Sequence, residues 1–336
     1  MKKLMLLITM AGLLVAGMTA FAQDGQDPSV AVTSNGTVIE AHQGTYNGLL
    51  WYNLGYITYD ASGNPTVNWV KNAQTGSTGR SIKVAANDNY VVEVHECFGS
   101  ADDVWMTIGT INYDSNNLPS SITWGETLEI SNYLTAYSGS LAISLTPENS
   151  VNIVSHGGYS VNYLVSGNIS NGKFVNVQTS NHGGTSLVEA SGVDCSGNIA
   201  YDGYPNANAY LQLGNNTQIT TQDQVHDGSL SGGGDCPISV LETHGNCYHY
   251  SIISGDSMIA TEQDIVQANG NTVTGDSKDA GIAIAPPSTQ TTPSSYPGRL
   301  YVVEVHNSNH AWGLWDTVGF VSPDHTSITW GNTHNI

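Results

Sequence analysis

The sequence predicts an all-β fold, and three observations carry that prediction. A short motif recurs along most of the chain. Apolar and polar residues alternate in short runs bounded by Gly, Asn, Asp and Ser, and no stretch sustains a helical period. Only 11 % of the 336 residues are charged, where about 25 % is usual, so the surface must be made of neutral polar side chains.

The recurring motif is a small strand centred on Glu-x-His. Val38-Ile39-Glu40-Ala41-His42 matches Val91-Val92-Glu93-Val94-His95, Val240-Leu241-Glu242-Thr243-His244 and Val302-Val303-Glu304-Val305-His306. Asn152-Ile153-Val154-Ser155-His156 is a weaker copy. A Gly follows each of them, in most copies with an aromatic four residues before it: Trp51/Gly55, Trp105/Gly109, Tyr163/Gly167 and Trp315/Gly319. Tyr210/Gly214 continues the series, and at Gly255 the aromatic slot holds Ser251, with Tyr250 beside it. A third element ends in Trp, at Val67-Asn68-Trp69, Ile122-Thr123-Trp124 and Ile328-Thr329-Trp330. A small apolar strand precedes the Glu-x-His strand, as in Ser29–Val32, Ile82–Ala85, Leu141–Ser144 and Gly281–Ile284.

Four short strands per unit, with the Gly landmarks about 53 residues apart on average, describe a six-bladed β-propeller with four antiparallel strands per blade. The expected blades are 28–72, 80–127, 139–180, 185–222, 225–275 and 280–332, all in one domain, 23–336. Ring closure would then bring the Trp330 unit against the Ser29 unit. The units with the fullest motif (six, one and two) would become neighbours.

Residues 1–22 read as a secretory signal peptide. Lys2 and Lys3 precede an apolar run from Leu4 to Val15, and Ala20-Phe21-Ala22 offers a cleavage site. The apolar run is short of a membrane span, so the expectation is a secreted protein, extracellular or periplasmic, without membrane insertion. Four cysteines, Cys97, Cys195, Cys236 and Cys247, would meet oxidising conditions there. The short separation makes Cys236 and Cys247 the favoured disulfide pair, although four cysteines allow three pairings.

The charge balance removes whole classes of function. The formal charge is −20; without Lys2 and Lys3 it is −22, with six scattered cations left. Nucleic acid and anionic lipid need clustered cations, so neither is an expected partner.

In Glu-x-His both side chains share one strand face, because orientation alternates with period two. The pairs Glu40/His42, Glu93/His95, Glu242/His244 and Glu304/His306 could hold a ligand or exchange protons. Burial between blades with mutual hydrogen bonding is the expected role, since a buried carboxylate must be paired. The mid-strand and fourth-strand Trp residues are expected in the core. Exposed recognition residues are expected at Tyr46, Tyr204, Tyr248, His249, His310 and Trp312, where aromatic rings stand beside loop Asn, Asp and His. No cofactor is required, and abundant Asp and Asn make calcium in loops conceivable.

Between strands three and four stand Tyr59-Asp60-Ala61-Ser62-Gly63-Asn64, Tyr113-Asp114-Ser115-Asn116-Asn117 and Ser322-Pro323-Asp324-His325, each leading to a Trp. These turns resemble the Asp-box of sialidase-type and related six-bladed propellers. The resemblance implies architecture and not catalysis, because those boxes are fold-stabilising turns. A sialidase holds its carboxylated substrate with three Arg, and beyond residue 22 only Arg80 and Arg299 occur. Small propeller lectins offer a closer functional analogy. The expectation is therefore a non-catalytic binder of glycan or cell-surface polymer. One alternative is a polysaccharide hydrolase or lyase using a non-repeated group such as His182, Asp194, Asp202, His226 or Asp235. The other is a structural or protein-interaction scaffold.

Overall fold

The computed structural model describes residues 25–44, 48–97, 103–131, 141–157, 161–183, 191–193, 199–203, 208–213, 217–224, 226–233, 236–242, 248–254, 257–274, 280–285, 300–307, 313–324 and 326–336. Among them the fold is all-β, built from several sheets. The strands run as antiparallel meanders. The first comprises β1 (Gly25–Val32), β2 (Thr37–Gly44), β3 (Leu49–Tyr59) and the start of β4 (Pro65–Ala86). The second takes the end of β4, then β5 (Tyr90–Cys97), β6 (Val104–Tyr113) and β7 (Pro119–Glu129). The third is β8 (Ala142–Leu145), β9 (Ser150–Gly157), β10 (Val161–Ser170) and β11 (Lys173–Gly183).

The fourth meander is β12 (Ser191–Val193), β13 (Ile199–Gly203), β14 (Asn208–Leu213) and β15 (Thr217–Gln224). The fifth is β16 (His226–Gly233), β17 (Cys236–Glu242), β18 (Tyr248–Ser254) and β19 (Ser257–Asp264). The sixth is β20 (Ala280–Ile284), β21 (Tyr301–Asn307), β22 (Leu314–Val321) and β23 (Ile328–Trp330), with β24 (His334–Asn335) also paired to β22.

Two details depart from the expected boundaries. The break expected between 72 and 80 is absent: β4 runs unbroken for 22 residues and merges meanders one and two into a seven-stranded sheet. The break expected between 222 and 225 is bridged as well: β16 pairs in parallel with β12 and joins meanders four and five.

First strands touch first strands: β1 and the end of β4, β4 and β8, β8 and β12, β12 and β16, β16 and β20, and β20 and β1. Between the meanders lie apolar layers. Val38 of meander one packs with Tyr301, Val303, Val305 and Val318 of meander six. The opposite face, Ile39, Ala41 and Leu54, packs with Val84, Val91 and Ile122 of meander two. Val92, Val94 and Met106 then meet Leu145, Val151 and Ile153 of meander three. Tyr248 and Tyr250 of meander five meet Ile282, Val302 and Trp330 of meander six. Both faces of the second strands β2, β5 and β21 are therefore buried, which is why these segments read as near-continuous apolar runs.

The repeated Gly and Trp explain one another. Gly55, Gly109 and Gly319 on third strands pair across to Trp69, Trp124 and Trp330 on fourth strands. A Cβ at these glycines would stand 2.9, 2.9 and 2.8 Å from Cε3 of those indoles. The ring lies flat on the bare backbone, and only Gly leaves room for it. Meander three uses Phe174 in the same way: its ring fills the space where a Cβ at Gly167 would stand.

The Asp turns are built as the sequence implies. Asp60 Oδ1 accepts from the backbone N–H of Ser62 and of Asn64, each at 2.8 Å. Asp114 Oδ1 accepts from those of Asn116 at 2.8 Å and Leu118 at 2.9 Å. Three residues after each Asp the backbone turns left-handed, with φ of 83° at Gly63 and 61° at Asn117, positions that favour Gly and Asn. Bonds chiefly from Asn64, Leu118 and Ser322 hold the carboxyls of Asp60, Asp114 and Asp324 below the usual range.

Candidate functional site

The Glu-x-His pairs of meanders one, two and six form a repeated buried polar layer. Glu40, Glu93 and Glu304 are each 0 % exposed. His42 Nδ1 lies 3.0 Å from Glu40 Oε2, His95 Nδ1 2.6 Å from Glu93 Oε1, and His306 Nδ1 2.7 Å from Glu304 Oε1. Alternation puts them on the face of Val38, Val91 and Val302, toward the preceding meander. The pairs thus hold their carboxylates between layers, as buried charge requires.

The layer extends outward across the sheet, and its members differ. Opposite Glu40 stands Asn53, whose Nδ2 donates to Glu40 Oε2 at 2.8 Å, and Asn72 Nδ2 donates to Asn53 Oδ1 at 2.6 Å. Opposite Glu93 and Glu304 stand Thr107 and Thr317, whose hydroxyls pair instead with Thr127 and Thr333 at 3.0 and 2.9 Å. Glu93 Oε2 and Glu304 Oε2 are left buried without a partner. In meander three Val154 replaces the Glu and its cross-strand partner is Leu164. Loss of the acid thus goes with loss of the polar partner. Thr107→Asn should place an amide where Asn53 has one, and we expect a gain of about 1 kcal/mol in chemical denaturation. No gain, or a loss, would show that the Glu93 environment cannot admit the donor.

Beside each His, across the ladder, is a Trp: His42 faces Trp51, His95 faces Trp105, and His306 faces Trp315. These three residues are half-buried, and Trp105 Nε1 is buried without a partner. They begin the third strands, next to the connections from second to third strand. Arg80 is committed nearby: its Nε donates to the buried Glu96 at 3.0 Å. Arg299 lies outside the described residues.

Of the expected recognition residues, Tyr46, Tyr204, His310 and Trp312 lie outside the described residues. His249 is on β18, opposite Leu241. Tyr248, expected to be exposed, is 0 % exposed; its ring packs on His306 with centroids 5.0 Å apart. It opens a strand and not a loop, and the neighbouring meander covers it. Glu242 sits on β17 opposite Tyr248, while His244 lies outside the described residues. Cys236 starts β17, and Cys247 lies outside the described residues, as does any bond between them. Among the described residues no three His, Cys, Asp or Glu are grouped to hold a metal ion. No helix among them is long and apolar enough to cross a membrane.

Sequence reading missed two buried acids, Glu96 and Asp316. Asp316 follows Trp315 on β22, where the equivalent residues are Tyr52 and Met106. It is 0 % exposed, and Trp69 Nε1 donates to its Oδ2 at 2.9 Å. Burial pushes its carboxyl up to about 7.

No protein-family profile matches the chain, and no curated protein matches it. Solved structures do share its fold. SapL1 lectin, in complex with α-methyl fucoside, is 10 % identical with a TM-score of 0.52, over 92 % of this chain and 97 % of that one. Aleuria aurantia lectin, as the N224Q mutant in complex with Fucα1-6GlcNAc, is 10 % identical at 0.51, over 93 % and 97 %. Trypanosoma rangeli sialidase in complex with the inhibitor DANA is 12 % identical at 0.46, over 88 % of this chain but only 54 % of the sialidase. The chain thus spans about half of that enzyme and nearly all of the two lectins. The fold is β-propeller-like.

Proposed function

We propose that the chain closes into a six-bladed β-propeller with four-stranded blades, and that it is an exported, non-catalytic binder of glycan or surface polymer. The cycle of first-strand contacts, from β1 through β4, β8, β12, β16 and β20 back to β1, supports the closure. In such a ring all connections from second to third strand fall at one end. Of the expected recognition residues, His249, the second residue of β18, belongs to that end. The observation that carries the reading is the arrangement there. The Glu-x-His groups are buried and bonded to each other, whereas Trp51, Trp105 and Trp315 beside them are only half-buried. Half-buried Trp next to neutral polar loops suits the apolar face and hydroxyl rim of a sugar. The two lectins with matching length lend the ligand class. The signal-like segment 1–22 supports export.

A glycan array tests this. Saturable binding to at least one neutral glycan is expected, weakened about tenfold by Trp51→Ala, Trp105→Ala or Trp315→Ala, on the scale of a buried aromatic contact. A blank across diverse neutral glycans, with the protein folded, would sink the reading.

A further inference from the structure

The three fourth-strand indoles each reach toward the preceding meander, and two of them meet a Tyr. Trp124 meets Tyr52 edge-on with centroids 5.6 Å apart, and Trp330 meets Tyr250 in the same way at 5.6 Å. At the contact between the last and first meanders the partner of Trp69 is Asp316. This exchange puts an ionisable group where the other two contacts have a phenol. Asp316 Oδ2 takes the indole N–H, and Oδ1 is buried with no partner. A neutral carboxyl tolerates that place far better than an anion does.

The surrounding groups do little for the charge. On β21, Glu304 and His306 flank Val305, the cross-strand partner of Asp316, and the two are bonded to each other. On β24 its partner is His334, whose Nδ1 is 3.1 Å from Thr66 Oγ1. β23 carries no titratable group. On β4, Lys71 is exposed, and on β2 the pair Glu40 and His42 faces the same layer but is engaged with itself and Asn53. Burial is the largest influence on the carboxyl, followed by the Trp69 bond, which favours the anion, then the repulsion of Glu304 and the attraction of His306.

We propose that Asp316 makes the contact between the first and last meanders a pH-sensitive seam, firm while the carboxyl is protonated and weakened when it ionises. The direction follows from proton linkage. The carboxyl titrates at about 7 in the folded chain against 3.8 when unfolded, so the folded state holds the extra proton between those values. Stability from this group is full below the lower value, falls as pH rises through the window, and is level above the upper one. The unfolding constant should rise by up to roughly a thousandfold across the window from this group alone.

Thermal melts of the full chain from about pH 4 to about pH 8 test the proposal, comparing wild type with Asp316→Asn. The wild type should lose stability relative to the variant across the window, and the two curves should run parallel above it. Curves that are parallel throughout would overturn the proposal. Hydrogen exchange on the wild type, corrected for intrinsic rate, is independent of the variant. β4 near Trp69, β22 and β24 should lose protection over the same window, by at least as much as β5 and β6 do. Unchanged protection of β4, β22 and β24 across the window would also overturn it.

Discussion

Glu40→Ala should destabilise the chain by about 3–5 kcal/mol, the range seen when one member of a buried ion pair is removed. The carboxylate is 0 % exposed and accepts from both His42 and Asn53. Truncation leaves the imidazole Nδ1 and the Asn53 amide buried without their acceptor, and opens a void in the layer between meanders six and one. Glu93→Ala should cost less, because Thr107 already bonds to Thr127 and only His95 loses its partner. Urea unfolding of the two variants measures the difference. Equal losses would mean that the Asn53 branch contributes nothing.

Gly109→Ala should cost about 1–3 kcal/mol, the usual penalty for overpacking a filled core. The new methyl would stand 2.5 Å from Ile122 Cγ2 and 2.9 Å from both Trp124 Cε3 and Val91 Cγ1. These atoms are walled in on both faces, since the layer between meanders one and two also contains Ile39, Leu54 and Ile111. Gly63→Ala is the control. Its Cβ would meet nothing within 4 Å, so only the left-handed backbone is strained there, and about 1 kcal/mol is expected. If melts showed the two equal, conformation and not the Trp124 contact would explain the repeated Gly.

The all-β class, the strand order within each meander and the pairing of Glu with His were legible because period-two alternation and repetition reinforce each other. Val38, Glu40 and His42 announce one face, and three further copies repeat it. What repetition does not carry stayed hidden. Phe174 does the work of a Trp in a meander whose motif has drifted, so no match pointed to it. Asp316 occurs at a single position, and its meaning depends on Trp69, 247 residues away. Tyr248 reads as an exposed aromatic beside Asn246 and His249, and only the packing on His306 shows it to be core. The Asp turns were legible as turns, since Asp, Gly and Asn state their own backbone preferences.

The unbroken strand β4 has a consequence for how the chain assembles. It holds the outer edge of one meander and the inner edge of the next in a single stretch of backbone, so that pair forms through contacts close in sequence. Such contacts close small loops and form early. The seam is the opposite case, with Tyr59 and Tyr301 meeting across 242 residues. All the residues from Tyr59 through Tyr301 must be made before that meeting can happen. Assembly is thus polarised: a pre-joined pair of meanders waits at one end of the chain for a latch delivered by the other.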